Sequence, residues 1–212
     1  MIIAFCGWQG TGKDTAADYL INWHGFKRDS FANTLKDAAA DIFSWDREML
    51  EGRTIASRQW REKVDGWWAN RLGMPDLTPR WVLQYLGTEV FRQGFHDDIW
   101  IASMEKRLEK TTDSVVISDC RFPNEIAAIR RLGGRVFWIQ RGGLPEWYET
   151  AFNENTANKE IIALLRSQGN TMSQKYPRIH PSEYSWVGTA FDVVVTNDGT
   201  IDELYETLKS QV

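Results

Sequence analysis

Near the amino terminus, Gly7-Trp8-Gln9-Gly10-Thr11-Gly12-Lys13 has a spacing that chemistry can use. It fits G-x-x-x-x-G-K. Glycines there let successive backbone N–H groups turn inward around phosphate oxygens, and a helix starting at the end of the loop adds positive potential. Gly7, Gly10, Thr11 and Gly12 would line the phosphates, and Lys13 would reach the β- and γ-phosphates of ATP. The usual motif continues with a Ser or Thr that ligates Mg²⁺. Here Asp14 stands in that place and Thr15 follows, so the metal-binding hydroxyl is displaced or absent. Asp14 either holds metal through water or is a carboxylate suited to the first helical turn.

A second constellation lies far along the chain, at Asp119-Cys120-Arg121. Asp119 closes an apolar run, Ser114 to Ser118, that reads as a buried strand. In parallel α/β sheets ligands gather at the carboxyl ends of strands. A carboxylate there can anchor Mg²⁺ while the metal bridges β- and γ-phosphates. Arg121 would neutralise charge on a moving phosphoryl group. Arg141 follows another apolar run, Val136 to Gln140, at the same expected edge.

The elements that must position these residues alternate. Ile2 to Cys6 reads as a buried first strand, and residues 13 to 23 as a helix with Ala16, Ala17, Leu20 and Ile21 on one face. A second helix is expected over 34 to 44. Residues 45 to 79 are polar, charged and Trp-rich with weak periodicity, and read as a helical insertion over an acceptor site. Pro79 suits a helix start before Arg80 to Phe91, and another helix should cover 97 to 109. Pro123 opens a helix that Gly133-Gly134 ends. Residues 142 to 185 read as mostly irregular, lid-like, with one helix near 157 to 167. Phe191 to Thr196 is the last strand, Asn197-Asp198-Gly199 its turn, and Ile201 to Lys209 the closing helix. This order predicts a single α/β domain over 1 to 212: a three-layer P-loop NTPase fold with a mainly parallel sheet.

Composition narrows the class. The chain has 212 residues, 42% of them hydrophobic, with net charge −4. An acidic balance argues against a stable nucleic-acid partner. The two cysteines, Cys6 and Cys120, have no metal-like spacing and cannot form a disulfide framework. The apolar start is too short for a signal peptide or a membrane span. Most of the eleven tryptophans should pack cores or helix faces.

Taken in order, the residues resemble the phage-type deoxynucleoside monophosphate kinases. Gly10-Thr11-Gly12-Lys13-Asp14-Thr15 is similar to that family's P-loop, and Leu35-Lys36-Asp37-Ala38 to its acceptor-side helix. Leu83-Gln84-Tyr85-Leu86-Gly87-Thr88-Glu89 resembles its L-x-x-L-G-T-[DE] segment, with Trp100 at the spacing of a family tryptophan. Ser118-Asp119-Cys120-Arg121, Arg141-Gly142-Gly143, His180-Pro181-Ser182-Glu183 and Thr196-Asn197-Asp198-Gly199 also have counterparts. The resemblance implies ATP at the P-loop, Mg²⁺, and a deoxynucleoside monophosphate as acceptor. It implies Arg80 on the acceptor phosphate and Trp100 on its base. Lys36 is either an acceptor-phosphate ligand or part of a solvated helix face. Asn197 either makes a turn or lends its backbone to the border of the adenine. Arg53, Arg58 and Arg61 are further candidates that the pattern does not align. His180 with Glu183 is expected to order a loop.

The mechanism this implies is direct in-line transfer. Lys13, Arg121 and Arg141 would stabilise phosphoryl oxygens and Asp119 would position Mg²⁺, with small nucleotides as partners and the cytoplasm as location, that of a host if the chain is phage-encoded. A homodimer is left open. Two rivals stand beside it: transfer to phosphomevalonate, whose animal-type kinase resembles the chain at the P-loop and the Ser-Asp-x-Arg turn, and a nucleotide-dependent switch or single-strand-binding module stacking bases on tryptophans.

Overall fold

The computed structural model describes residues 1 to 212. The chain divides into two compact units, one formed by Met1–Asp29 with Asp113–Val212, the other by Ser30–Thr112.

The first unit is built on a five-stranded sheet: β1 (Ile2–Cys6), β2 (Lys27–Asp29), β3 (Val115–Cys120), β4 (Arg135–Gln140) and β5 (Val193–Thr196). The spatial order is β2-β3-β1-β4-β5, and every pairing is parallel. The order reverses direction at β1, so the crevice beyond the carboxyl end of β1 is a switch point where parallel sheets bind ligands. Parallel strands are buried on both faces, and Ile3 to Cys6 are all fully buried. Ile3 and Phe5 face α1 (Lys13–His24) and α13 (Ile201–Lys209) in one cluster with Ala16, Ala17, Leu20, Phe137, Leu204 and Leu208. Ala4 and Cys6 alternate to the other face. There α8 (Pro123–Arg131) packs on β1 and β4, with Ile126, Ala128 and Ile129 buried. The result is the three-layer α/β arrangement.

Two expectations about this unit are corrected. Strand β3 does not stop at Ser118 but continues through Asp119 to Cys120. Strand β2 (Lys-Arg-Asp) was illegible because three polar residues carry no apolar alternation; it exists by pairing with β3. Residues 142 to 185 are not mostly irregular. They hold α9 (Tyr148–Thr156), α10 (Lys159–Ser167), α11 (Met172–Lys175) and α12 (Pro181–Tyr184). Side chains start three of these: Asn158 accepts from the Ile161 N–H, Thr171 and Gln174 form a capping box, and His180 accepts from the Ser182 N–H ahead of Pro181.

The second unit is helical: α2 (Asn33–Phe43), α3 (Arg47–Glu51), α4 (Ile55–Arg61), α5 (Gly66–Leu72), α6 (Pro79–Tyr85), a π-helical stretch Leu86–Gln93, and α7 (Ile99–Leu108). Helices α3 to α6 are too short to hold alone. Asp46, Thr54, Asp65 and Thr78 cap them in turn, each accepting backbone N–H bonds of the first turn. Their apolar faces close on Trp45, Leu50, Leu77 and Val82, with Phe43, Trp60 and Trp68 alongside. Phe43 stacks on Trp45 at 4.4 Å, and the Trp45 indole N–H donates to Asp65 Oδ2 at 2.8 Å. Trp45 thus joins the core of this unit, Trp60 and Trp68 pack against it, and Trp67 stays exposed.

The single helix expected over 80 to 91 changes its winding after Tyr85. Its i→i+5 bonds include Gly94 N–H to Glu89 O at 3.1 Å. Gly87 lies in this stretch because Leu35 packs against it; a Cβ there would come within 2.9 Å of Leu35 Cδ2.

Phe137 is fully buried and meets Phe5 edge-on at 5.7 Å. Phe137→Ala is expected to cost about 3–5 kcal/mol of unfolding free energy. Urea denaturation of both proteins measures it.

Candidate active site

The loop from β1 to α1 has the shape the glycine spacing anticipates. Gly7, Gly10 and Gly12 all have positive φ, at 139°, 84° and 100°. Two of them are also hemmed in. A Cβ on Gly7 would lie 2.5 Å from Ile139 O, and one on Gly12 would lie 2.4 Å from Asn197 Nδ2. Asn197 is buried and its Nδ2 donates to Thr11 O at 2.8 Å. Its side chain therefore braces the loop from the end of β5, a contact that turn propensity alone did not suggest. Asp198 Oδ1 accepts the Gly142 N–H at 2.6 Å, tying the two turns after β4 and β5 together.

Lys13 is only 8% exposed. Its Nζ donates to Trp8 O at 2.7 Å, and Thr11 Oγ1 donates to the same carbonyl at 3.1 Å. Burial, followed by the charge of Arg121, lowers the Lys13 ammonium to about 8; Glu183 and Asp14 oppose the shift. The Trp8 ring stacks on Trp186 at 5.8 Å and meets Trp138 edge-on at 6.0 Å. The loop is thus joined to the segment that follows α12.

Asp14 occupies the hydroxyl's place and has built partners. Ser118 Oγ donates to Asp14 Oδ1 at 2.7 Å, and Arg28 Nη1 reaches Asp14 Oδ1 at 3.3 Å and Ser118 Oγ at 3.0 Å. Arg28 also binds Asp18 at 2.6 Å. Sequence reasoning missed Ser118 and Arg28. Ser118 could have been read from its place beside Asp119; Arg28 gave no signal, because the strand that carries it was missed. Thr15 is half-buried one residue further along α1.

Asp119 and Arg121 sit at the carboxyl end of β3. Glu125 Oε2 accepts the N–H groups of Arg121 at 2.7 Å and Phe122 at 3.1 Å, which sets the backbone there. The Arg121 guanidinium donates through Nη1 to Glu183 Oε1 at 2.5 Å. Although burial opposes it, Glu183, with Asp119 and Glu125, raises the Arg121 pKa, so its charge is secure. Arg141 is exposed just beyond β4. Cys6 and Cys120 are buried free thiols, and burial pushes Cys6 up to about 12, which makes it inert.

The second unit gathers its own charges. Lys36 Nζ donates to Glu51 Oε2 at 2.9 Å and Arg53 approaches the same oxygen at 3.5 Å. Arg47 binds the other Glu51 oxygen, and Asp37 at 2.6 Å. Burial would raise the Glu51 carboxyl, but Lys36 and Arg47 bring it down to about 2. Lys36 is therefore not on a solvated face. Arg58 and Arg61 serve the end of α3: Arg58 Nε donates to Gly52 O at 3.0 Å and Arg61 Nη1 to Leu50 O at 3.4 Å. Arg80, at the start of α6, lies 3.3 Å from Glu62. Trp100 is 7% exposed; its Nε1 donates to Gly87 O at 2.8 Å and its ring meets Phe91 at 5.2 Å. The indole packs α7 against the π-helical stretch.

No group of three or more His, Cys, Asp or Glu side chains gathers to hold a metal by itself. Mg²⁺ beside phosphates needs no such cage; one or two carboxylates and water suffice. Asp14 and Ser118, hydrogen-bonded to each other beside Asp119, are hard oxygen donors of that kind, so the residues fit the ion. No helix is long and apolar enough to cross a membrane.

A glycine loop closing on a buried lysine, at the switch point of a parallel sheet, defines a P-loop nucleotide-binding protein. No family model matches the chain. It is 30% identical over 225 residues to the "Putative deoxynucleotide monophosphate kinase" of Acanthamoeba polyphaga mimivirus, covering 100% of this chain and 96% of that one. It is 27% identical over 179 residues to the deoxynucleoside-5'-monophosphate kinase of Escherichia phage T5, covering 61% of this chain and 72% of that one. The chain belongs to the deoxynucleotide monophosphate kinase family. Among solved structures, shikimate kinase from Aquifex aeolicus aligns over 100% of this chain and 95% of its own at 12% identity and TM-score 0.41. Dephospho-CoA kinase from Campylobacter jejuni aligns over 99% and 94% at 15% identity and TM-score 0.40. The phosphomevalonate and single-strand-binding readings are not favoured.

The lowered Lys13 pKa has a consequence for binding. Below about 8 the ammonium is charged and attracts phosphate; above it the charge is lost from the free protein. ATP affinity is expected to fall by about tenfold or more as pH rises through that value, since a charge-assisted contact is typically worth about 1.5–3 kcal/mol. Calorimetry across the range checks it, and Lys13→Met should flatten the profile.

Proposed function

We propose that this protein transfers the γ-phosphoryl group of ATP to the phosphate of a deoxynucleoside 5'-monophosphate, giving ADP and the diphosphate. The observation that carries the reading is the buried Lys13 inside a glycine loop, in a chain that matches a viral relative of that name along its whole length. Both relatives named above are viral, which suits an enzyme working in the host cytoplasm on small nucleotides.

The donor lies along the loop. Backbone N–H groups from Gly7 to Lys13 surround its β-phosphate, helped by the N-terminus of α1. Asn197 keeps the loop in this shape, and its turn borders the adenine. Lys13 exchanges the Trp8 carbonyl for phosphate oxygens. Arg121 and Arg141 stabilise the charge on the equatorial and bridging oxygens as the bond to the leaving oxygen loosens. Asp119, with Asp14, Thr15 and Ser118 near the loop, would hold Mg²⁺. Held there, it would offset the negative charge of the donor's phosphates. The acceptor needs no general base, because its phosphate is already ionised near neutral pH. Arg80 and Lys36 hold that phosphate, and Trp100 contributes to the acceptor side next to the base. The protein supplies alignment and fixed charge rather than covalent chemistry.

The test is a coupled ADP-release assay over the common deoxynucleoside monophosphates, with phosphomevalonate as a control. Turnover with one or more of the nucleotides is expected. Lys13→Ala should lower it by about 10²-fold or more while thermal unfolding is kept. Turnover with phosphomevalonate alone would end the nucleotide reading.

The acceptor side has its own test. Arg80→Ala should raise KM for the monophosphate by about tenfold or more and leave KM for ATP nearly unchanged. Trp100→Ala should raise the same KM, while Trp100→Phe keeps a flat ring and much of the activity. If Trp100→Ala only lowers Tm, the indole is packing and nothing more.

A further inference from the structure

The Arg121–Glu183 pair joins two parts of the first unit that the reaction uses differently. Arg121 sits at the carboxyl end of β3, with its backbone set by Glu125. Glu183 sits on α12, inside the segment read from sequence as lid-like. Both side chains are partly shielded, Arg121 at 30% exposure and Glu183 at 17%. In such surroundings a cation and a carboxylate attract more strongly than at an open surface.

The carboxylate is presented by a braced element. His180 Nδ1 accepts the Ser182 N–H at 3.2 Å, and Ser185 Oγ donates to Pro181 O at 2.7 Å. Asn155 on α9 donates through Nδ2 to Tyr184 O at 2.8 Å and to Val187 O at 2.9 Å. Three residues beyond Glu183, Trp186 is 1% exposed and stacks on Trp8 of the phosphate loop. Glu183 is therefore fixed to the same loop that carries Lys13.

We infer that Glu183 is a positioning residue for phosphoryl transfer, holding the Arg121 guanidinium in place and offsetting the repulsion between Arg121 and Lys13 before the donor arrives. The inference rests on the proposed kinase reading. Two cations poised for one phosphoryl group repel each other while no phosphate lies between them. A carboxylate bonded to one of them lets both stay charged and near. The charged groups facing Lys13 are Arg121 after β3, Glu183 on α12 and Asp14 on α1, with the neutral Cys6 thiol on β1.

The experiment separates kcat from KM on the full chain. Glu183→Gln keeps the shape and removes the charge. Its kcat should fall by about tenfold or more, with KM for the acceptor and calorimetric affinity for ATP little changed. Glu183→Asp keeps the charge and shortens the reach, so it should lower kcat by less than Glu183→Gln does. If Glu183→Gln fails to fold, Glu183→Asp alone decides: parental kcat overturns the role. Unchanged kcat in Glu183→Gln also overturns it, and so does a raised kcat, which would make the carboxylate a brake on Arg121. A parent protein that phosphorylates no monophosphate defeats the kinase reading itself, whereas a parent that turns over beside an equally active Glu183→Gln defeats only the role of Glu183.

Discussion

A charged ammonium held in the low-dielectric end of a parallel sheet is the constraint around which this molecule is arranged. Taking Lys13 out of water is costly unless oxygens and counter-charges replace the lost hydration. The Trp8 carbonyl does part of this, and Glu183 and Asp14 do more at a distance. The loop can offer its carbonyl only because Gly7 and Gly12 adopt backbone angles closed to other residues, under Ile139 and Asn197. Those two neighbours belong to the ends of β4 and β5, so the register of the sheet determines the geometry of the cation.

The second unit solves a different problem. It contains no strand of its own, and its polar, Trp-rich stretch has little periodicity. Short capped helices bring the aromatic side chains together, and the indole N–H groups find oxygens: Trp45 on Asp65, Trp68 on the Phe43 carbonyl, Trp100 on the Gly87 carbonyl. Buried indoles that keep a hydrogen bond contribute area without leaving a polar group stranded. Its cations are likewise neutralised in place, with Glu51 collecting Lys36, Arg47 and Arg53.

What was legible in the sequence follows from range. The P-loop, β1, β4 and the closing helix were read because each is defined by neighbours along the chain. The parallel sheet followed from their alternation. The roles of Arg58 and Arg61 were illegible, since a helix end some residues away decides them. Ser118 was missed because its meeting with Asp14 spans the chain from α1 to β3, and Arg28 because the short polar strand that carries it shows no apolar alternation. The helices of 142 to 185 were under-read because their starts are marked by single caps, Asn158, Thr171 and His180, rather than by long apolar stripes. Asn197 was assigned to the right end of the right strand, but its side-chain bond to Thr11 needs the sheet order to be known.

The sheet order also governs how the chain can be made. During synthesis β1 emerges first, yet its neighbours are β3 and β4, and β2 pairs only with β3. The whole of Ser30–Thr112 is produced before either neighbour of β1 exists. The helical unit makes its contacts within one stretch of chain and is free to fold on the ribosome in that interval. The apolar strand Ile2–Cys6 must meanwhile wait unpaired, a sticky edge exposed for as long as translation of the insertion lasts. Translation speed through residues 30 to 112 therefore sets how long a nascent chain is open to chaperones or to its own neighbours.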